Sequence, residues 1–338
     1  PFLPTDPCAT EAVTPRYGGE MVSAARHWLS SLGLGTVGSF DQHCVGGRVP
    51  ELIRVAEGFH EKWIGKIADA ILARRGRVRV VAVAGPSSSG KTTFIKRLVV
   101  QLLVDGLRPH ALSLDDYYRD RDLTPDFEVV DALDVPLLRD QIRRLLAGER
   151  LALARYDFVA GKSRPSGGPE LTVGADDILL VEGIHGLDPE LFGDALSPEQ
   201  VFRIFVHPAQ TTAIDRASVV RPEDVRLLRR IVRDRHQRNY TAAQTIARWP
   251  SVRHGDLVHI FPRRPFADAV FDSSLPYEVS VLKTFAERYL LEVRPEDPAF
   301  TVALDLRRLI DDHVAIDADH VPPTSVIREF IGGSGFEY

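Results

Sequence analysis

Cysteine is nearly absent. Two residues, Cys8 and Cys44, in a chain of 338 cannot build a disulfide framework, and a reducing cytoplasm is the simplest setting for such a chain. No stretch reaches the about 18 consecutive apolar residues that a membrane-spanning helix requires, so none is expected. Residues 1–17 carry neither a basic start nor an apolar run, which argues against a secretory leader. With no Met at its start, the chain reads as a fragment or as beginning inside a longer polypeptide. Charge of either sign is not in large excess: 42 basic against 47 acidic residues leave −5, which argues against broad nucleic-acid binding. Lysine is scarce, occurring six times, so 36 of the 42 basic residues are arginine. What is plentiful is apolar side chain, at 44%, enough to build a core and to exclude a disordered chain. The length suggests about two domains.

Residues 1–20, rich in Pro, Gly and Thr, read as a loose arm. A short helical pattern covers 21–32, and a strong one covers 51–75, where Leu52, Val55, Ala56, Phe59, Trp63, Ile67 and Ile71 recur at three- and four-residue steps before Gly76. Between them, residues 33–38 spell G-x-G-x-x-G. A dinucleotide fingerprint must follow a strand; this one follows a helical pattern and is read as a flexible turn. The continuous run at 77–84 suits a buried parallel strand, and strand-like runs recur at 110–114, 178–181, 201–206 and 269–271. Helical patterns at 91–104, 136–147 and 222–238 lie between them, and others follow at 279–291 and 300–315. Strand alternating with helix implies an α/β fold with a mostly parallel sheet flanked by helices.

Gly85-Pro86-Ser87-Ser88-Ser89-Gly90-Lys91-Thr92 fits G-x-x-x-x-G-K-[ST], with a strand pattern before it and a helix pattern after it. Glycines let backbone N–H groups turn inward around phosphate oxygens, and the following helix presents its positive end to the anion. Lys91 would reach the β- and γ-phosphates and the Thr92 hydroxyl would hold Mg²⁺. Magnesium also needs an acidic residue at a neighbouring strand end. Asp115-Asp116 follows one strand and Glu182 another, and both strand ends lie on the phosphate-loop edge of a parallel sheet. Asp115 or Asp116 can serve as base toward an acceptor alcohol. Arginines at 226, 230, 233 and 238 share a helix face and suit a charge-rich transition state. The single asparagine, Asn239, precedes Tyr240, so the N-K-x-D motif of GTPases is missing. An L-S-G-G-Q transporter signature is missing as well. Small-molecule kinases remain ahead of both classes.

Together with the phosphate loop, Asp115-Asp116-Tyr117-Tyr118, Tyr156-Asp157-Phe158, Glu182-Gly183-Ile184 and Arg229-Arg230-Ile231-Val232-Arg233-Asp234 resemble the uridine kinase/phosphoribulokinase family in order and spacing. The likeness is nearest to a bacterial branch in which the kinase follows modules similar to the N-terminal part of threonyl-tRNA synthetase. It runs from about Leu32, through residues 57–62, to residues 327–333. Residues 1–50 are then a remnant of those modules or the end of a cut. The resemblance implies ATP and Mg²⁺ as cofactors. It makes Gly85, Ser87, Ser88, Ser89, Gly90, Lys91, Thr92 and Thr93 the nucleotide-binding set, and Thr92, Asp115 and Glu182 the metal set. Asp115 matches the family's catalytic base. Tyr118 and Asp131 match residues that hold ribose hydroxyls, and Tyr156 and Phe158 match aromatics around the base. Arg230, Arg233 and Arg238 match arginines of a segment, about residues 221–250, that closes over the phosphates.

Three positions depart from the family pattern: Gly161 stands where a base-reading His is usual, Tyr240 where a second lid Arg is usual, and Arg248 where a ribose-side Gln is usual. Loss of hydrogen-bonding partners relaxes discrimination. The expected activity is phosphoryl transfer from ATP to an alcohol, first the 5′-hydroxyl of a nucleoside, with a non-nucleoside sugar or polyol as an alternative acceptor. A nucleotide-binding regulatory module with reduced catalysis is the rival from another class. The expected organisation is an N-terminal arm and helical extension (1–76), a kinase core (77–278) and a C-terminal helical extension (279–338). Self-association is implied by the resemblance, while membrane and nucleic-acid partners are not expected.

Overall fold

The computed structural model describes residues 18–123, 129–209, 212–213 and 219–337. Most of the expected N-terminal arm, with Cys8, lies outside these residues. The strand-like runs form five strands: β1 (Val80–Ala84), β2 (Arg108–Ser113), β3 (Asp177–Glu182), β4 (Val201–His207) and β5 (Ala269–Asp272). They make one parallel sheet in the order β5-β4-β1-β3-β2. Every residue of β1 is buried, because helices cover both faces of the sheet. Val80 and Ala82 point to one face, packing with Leu138, Ile142 and Val181. Val81 and Val83 point to the other, packing with Ile67, Phe94, Leu98 and Phe271. The two-residue period of a strand produces this division. At the carboxyl edge of the sheet, Glu182 lies between Val83 of β1 and Ser113 of β2.

The helices are α1 (Gly18–Ser31), α2 (Val37–Val45), α3 (Val49–Leu72), α4 (Lys91–Val104), α5 (Val135–Leu146), α6 (Pro222–Arg238), α7 (Ala242–Gly255), α8 (Glu278–Leu291), α9 (Phe300–Asp311) and the single turn α10 (Arg328–Ile331). Residues 33–36 form a turn, as the sequence suggested, with Gly33 left-handed at φ +70°, and α2 begins directly after it at Val37. Thr36 accepts from the Ser39 amide and starts α2 through a capping box. No strand precedes the segment, so it still lacks the setting of a dinucleotide fingerprint. The α7 helix falls within the helical lid segment expected at about 221–250 and runs past Pro250, although proline usually ends a helix. Its start is set by a Thr241–Gln244 capping box. Among the described residues, no helix is long and apolar enough to cross a membrane.

A third apolar cluster joins distant parts of the chain. Phe40 and Ile53 from the N-terminal helices meet Leu228 and Ile231 of α6, Leu282 of α8, Ile310 of α9 and Ile327 near the C-terminus. The N-terminal and C-terminal extensions therefore share a core with α6. At its border, fully buried Arg229 forms an ion pair with Glu278, at 2.6 Å, the two side chains being 0% and 4% exposed. Removing one partner of such a pair leaves an uncompensated buried charge. Arg229→Ala is predicted to lower unfolding free energy by about 3–5 kcal/mol, measured by urea titration; a loss under about 1 kcal/mol would show that the pair is not a structural support.

Candidate active site

The phosphate loop leaves β1 at Gly85 and enters α4 at Lys91. Gly85 is forced by close approach, since a Cβ there would lie 1.9 Å from the Val206 carbonyl oxygen of β4. Gly90 has φ +85°, and a Cβ on it would lie 2.3 Å from Val326 Cγ1. Ser88 is also left-handed, at φ 60°.

The loop is held from behind. Arg226 Nε donates to the Ser87 carbonyl at 3.0 Å. The Ser273 hydroxyl and Arg229 Nη1 donate to the Ser89 carbonyl at 2.5 and 3.3 Å. In a trans peptide the N–H points opposite to the C=O. Anchoring these carbonyls therefore turns the Ser88 and Gly90 amides toward the other side, where both residues line a cavity of about 430 Å³. Arg230 Nη1 adds a bond to the Ser87 hydroxyl at 2.7 Å. The arginine-rich helix α6 is thus not a solvated basic surface. Arg226, Arg229 and Arg230 are buried and fasten it to the loop.

The cavity brings together Ser87, Ser88, Ser89, Gly90, Lys91, Thr92, Ser113, Asp115, Tyr118, Glu182, Arg230, Arg233 and Arg238, with Glu329. Lys91 Nζ donates back to the Gly85 and Pro86 carbonyls at 2.8 and 3.1 Å. The Thr92 hydroxyl donates to Glu182 Oε1 at 2.9 Å. Asp115 follows β2 on a short turn, and its amide donates to Ser113 Oγ, which caps that turn, at 3.3 Å. Asp234, which the sequence reading assigned no role, is 1% exposed and draws Arg230, Arg233 and Arg238 to one carboxylate at 3.2–3.4 Å.

Enclosure by the walls shifts the cavity's titrating groups. Desolvation is the largest cause at Asp115, whose pKa is raised despite the opposing pull of Lys91. It also raises Glu182, again against Lys91, and lowers Lys91 against the attraction of Glu182, Glu329 and Asp115. Among the described residues, no three His, Cys, Asp or Glu side chains converge to hold a metal by themselves. Magnesium does not need such a cage, because it is commonly held by one or two carboxylates together with phosphate and water. The Thr92–Glu182 pair and Asp115, in one cavity, fit that pattern.

The remaining sequence-predicted residues lie beside the cavity. Tyr156 is buried, with its ring edge-on to Tyr118 at 5.9 Å and to Phe158 at 5.0 Å. Phe158 is 55% exposed. Asp131 is on the surface, on a short turn next to the Tyr118–Leu133 bridge, and does not line the cavity. Gly85 and Thr93 also lie outside the lining. Thr93 is the third residue of α4, and its amide and hydroxyl both donate to Glu329, at 3.1 and 2.9 Å. Sequence reasoning gave Glu329 no role, although residues 327–333 carried part of the family likeness.

A parallel sheet with a glycine-bounded phosphate loop after its central strand, facing a basic helix, defines the class of P-loop phosphate-handling α/β proteins. Residues 80–279 match the phosphoribulokinase / uridine kinase family, and the chain belongs to that family of kinases. It is 29% identical over 205 residues to a uridine kinase of Deinococcus deserti, covering 58% of this chain and 88% of that one. It is 28% identical over 237 residues to uridine-cytidine kinase A of Dictyostelium discoideum, covering 68% of this chain and 43% of that one. A solved structure of a possible uridine kinase from Bacillus stearothermophilus covers 62% of this chain and 97% of its own, at 20% identity and a TM-score of 0.40.

The close approach at Gly85 makes a direct prediction. Gly85→Ala should destabilise by about 1–3 kcal/mol or more through overpacking. Gly58→Ala, in α3 with nothing within 4 Å of an added Cβ, should stabilise by up to about 1 kcal/mol. Thermal denaturation of the two variants checks this, and equal shifts would contradict the contact with β4.

Proposed function

We propose that this chain is an ATP- and Mg²⁺-dependent kinase that transfers a γ-phosphoryl group to an alcohol, first the 5′-hydroxyl of a nucleoside. The observation that carries the reading is the single cavity shared by the phosphate loop, two strand-end carboxylates and three arginines of α6. In this reading Gly85, Ser87, Ser88, Ser89, Gly90, Thr92 and Thr93 supply the nucleotide cradle. Lys91, Arg233 and Arg238 stabilise charge on the transferring group, and Arg230 helps bind at the phosphates. Asp115 accepts the acceptor's proton. Tyr118 and Asp131 hold hydroxyls of the sugar, and Tyr156 and Phe158 pack beside its base. Thr92, Asp115 and Glu182 would hold Mg²⁺, which when bound neutralises phosphate charge.

The same reading puts the chain in the branch that carries threonyl-tRNA synthetase-like modules. Residues 57–62 and 327–333, both outside the family match, support it. A cytoplasmic setting is part of the proposal, as is self-association.

A specific observation favours a second acceptor class. Gly161 has φ +67°, and a Cβ there would lie 3.0 Å from Arg121 Cβ. Arg121 itself donates to the Phe158 carbonyl at 2.8 Å. A glycine at 161 offers no side-chain partner to a pyrimidine edge, and a sugar or polyol becomes the competing acceptor.

ADP release with ATP·Mg²⁺ across a panel of nucleosides, sugars and polyols tests the proposal. Acceptor-dependent ADP is the expected result, and none with any acceptor would refute it in favour of a regulatory nucleotide-binding module. Lys91→Ala should lose about 10²–10³-fold in turnover. Asp115→Asn should lose turnover yet still bind ATP. Because enclosure raises the Asp115 pKa, its base form is lost as pH falls through a value above the ordinary Asp value of about 3.9. The acid limb of kcat/KM should lie there, and an acid limb at or below the ordinary value would exclude Asp115 as the base.

A further inference from the structure

The chain continues past the family match, and its end returns to the site. Residues 321–332 lie against the rear of the phosphate loop. Val326 faces Gly90, and the Ser325 hydroxyl meets the Tyr277 hydroxyl at 3.1 Å. Phe330, fully buried, lies under the Arg229 guanidinium at 5.2 Å. Gln237 of α6 donates to the Glu329 carbonyl at 3.0 Å. Val326, Ile327 and Phe330 are each 0% exposed, so the backbone of this strap is anchored.

From the anchored strap the Glu329 side chain reaches into the cavity lining. One of its oxygens, Oε2, accepts from both the amide and the hydroxyl of Thr93. That amide is one of the first donors of α4, which have no partner within the helix. It belongs to the helix end whose free donors and positive dipole make a phosphate site. A carboxylate delivered from 236 residues away therefore takes up donors that an incoming phosphate would use. Two anions cannot share them: each needs the same N–H and O–H, and their like charges repel.

We infer that Glu329 is a self-supplied anion at the phosphate loop, which nucleotide phosphate displaces from Thr93 on binding. The inference rests on the nucleotide reading of the site. The strap stays docked and the side chain rotates away, since the contacts that hold the strap lie on Val326, Ile327 and Phe330 and not on the carboxylate. The consequence is a conformational cost on ATP affinity, set by the fraction of molecules in which Thr93 is occupied. Glu329 also caps α4 when no nucleotide is present, so it stabilises the empty enzyme while opposing its ligand.

Calorimetric titration of the full chain with ATP·Mg²⁺, without an acceptor, tests this apart from turnover. Glu329→Gln and Glu329→Ala should bind ATP about ten-fold more tightly than the unaltered chain, corresponding to a Thr93 site about nine-tenths occupied. Their melting temperatures without nucleotide should fall. A carboxylate with a purely structural role would lower both stability and affinity, so unchanged or weaker ATP binding in the variants overturns the inference while leaving the kinase reading intact. Absence of ATP binding in every form would overturn both. A crystal structure of the unaltered chain with a non-hydrolysable ATP analogue gives a reading that needs no variant. Glu329 should be beyond hydrogen-bond distance of Thr93, and retention of both bonds beside the bound analogue would refute the displacement.

Discussion

Two buried arginines hold the phosphate loop by its carbonyl oxygens, and the rest of the site depends on that grip. Arg226 takes the Ser87 carbonyl and Arg229 the Ser89 carbonyl. With the C=O groups fixed at the rear, planar peptides turn intervening N–H groups toward the cavity. The arginines are themselves held, Arg226 by Asp256 at 2.7 Å and Arg229 by Glu278. Each such ion pair is costly to bury unless its remaining hydrogen-bonding atoms are satisfied. Here the loop carbonyls and Ser273 satisfy many of them. The loop and its clamps therefore stabilise one another, and a conformation that would be strained alone, with Ser88 left-handed, is held in place.

The same helix then serves the cavity with its other face. Arg230, Arg233 and Arg238 converge because Asp234, almost completely buried, binds all three. One carboxylate against three guanidinium groups leaves the cluster positive, as a site for a polyphosphate requires. Opposite stand Asp115 and Glu182, at adjacent strand ends, their pKa values raised by enclosure against the pull of Lys91. Such a cavity is poised for a ligand that brings both negative phosphate and a cation.

Much of this was legible in the chain itself, for identifiable reasons. Lys91–Val104 and Pro222–Arg238 begin and end where the sequence placed them. A glycine before the first and proline at the start of the second are strong local signals. The centre of the parallel sheet followed from runs such as Val80–Ala84, every residue of which is buried, since only a strand covered on both faces has no polar side. What stayed hidden depends on contacts across long separations. Nothing local says that Arg229 points at Glu278 rather than at phosphate, and a charge run on a helix usually faces water. Glu329 was invisible as a site residue, because its partner Thr93 lies at the opposite end of the kinase core. The helix from Ala242 runs past Pro250, whose local cost is outweighed by the packing of Ala242 and Ile246 in the shared core. Phe158 and Asp131 were named from the family likeness, and both lie exposed, outside the cavity lining.

The central claim is that this cavity passes phosphate to an alcohol and not to water. Phosphorus NMR of a reaction mixture of ATP·Mg²⁺ and an accepted nucleoside or polyol distinguishes the two fates of the γ-phosphate directly. The account predicts a phosphate ester resonance that grows in step with ADP, with inorganic phosphate a minor product. Inorganic phosphate accounting for all of the ADP formed would contradict it.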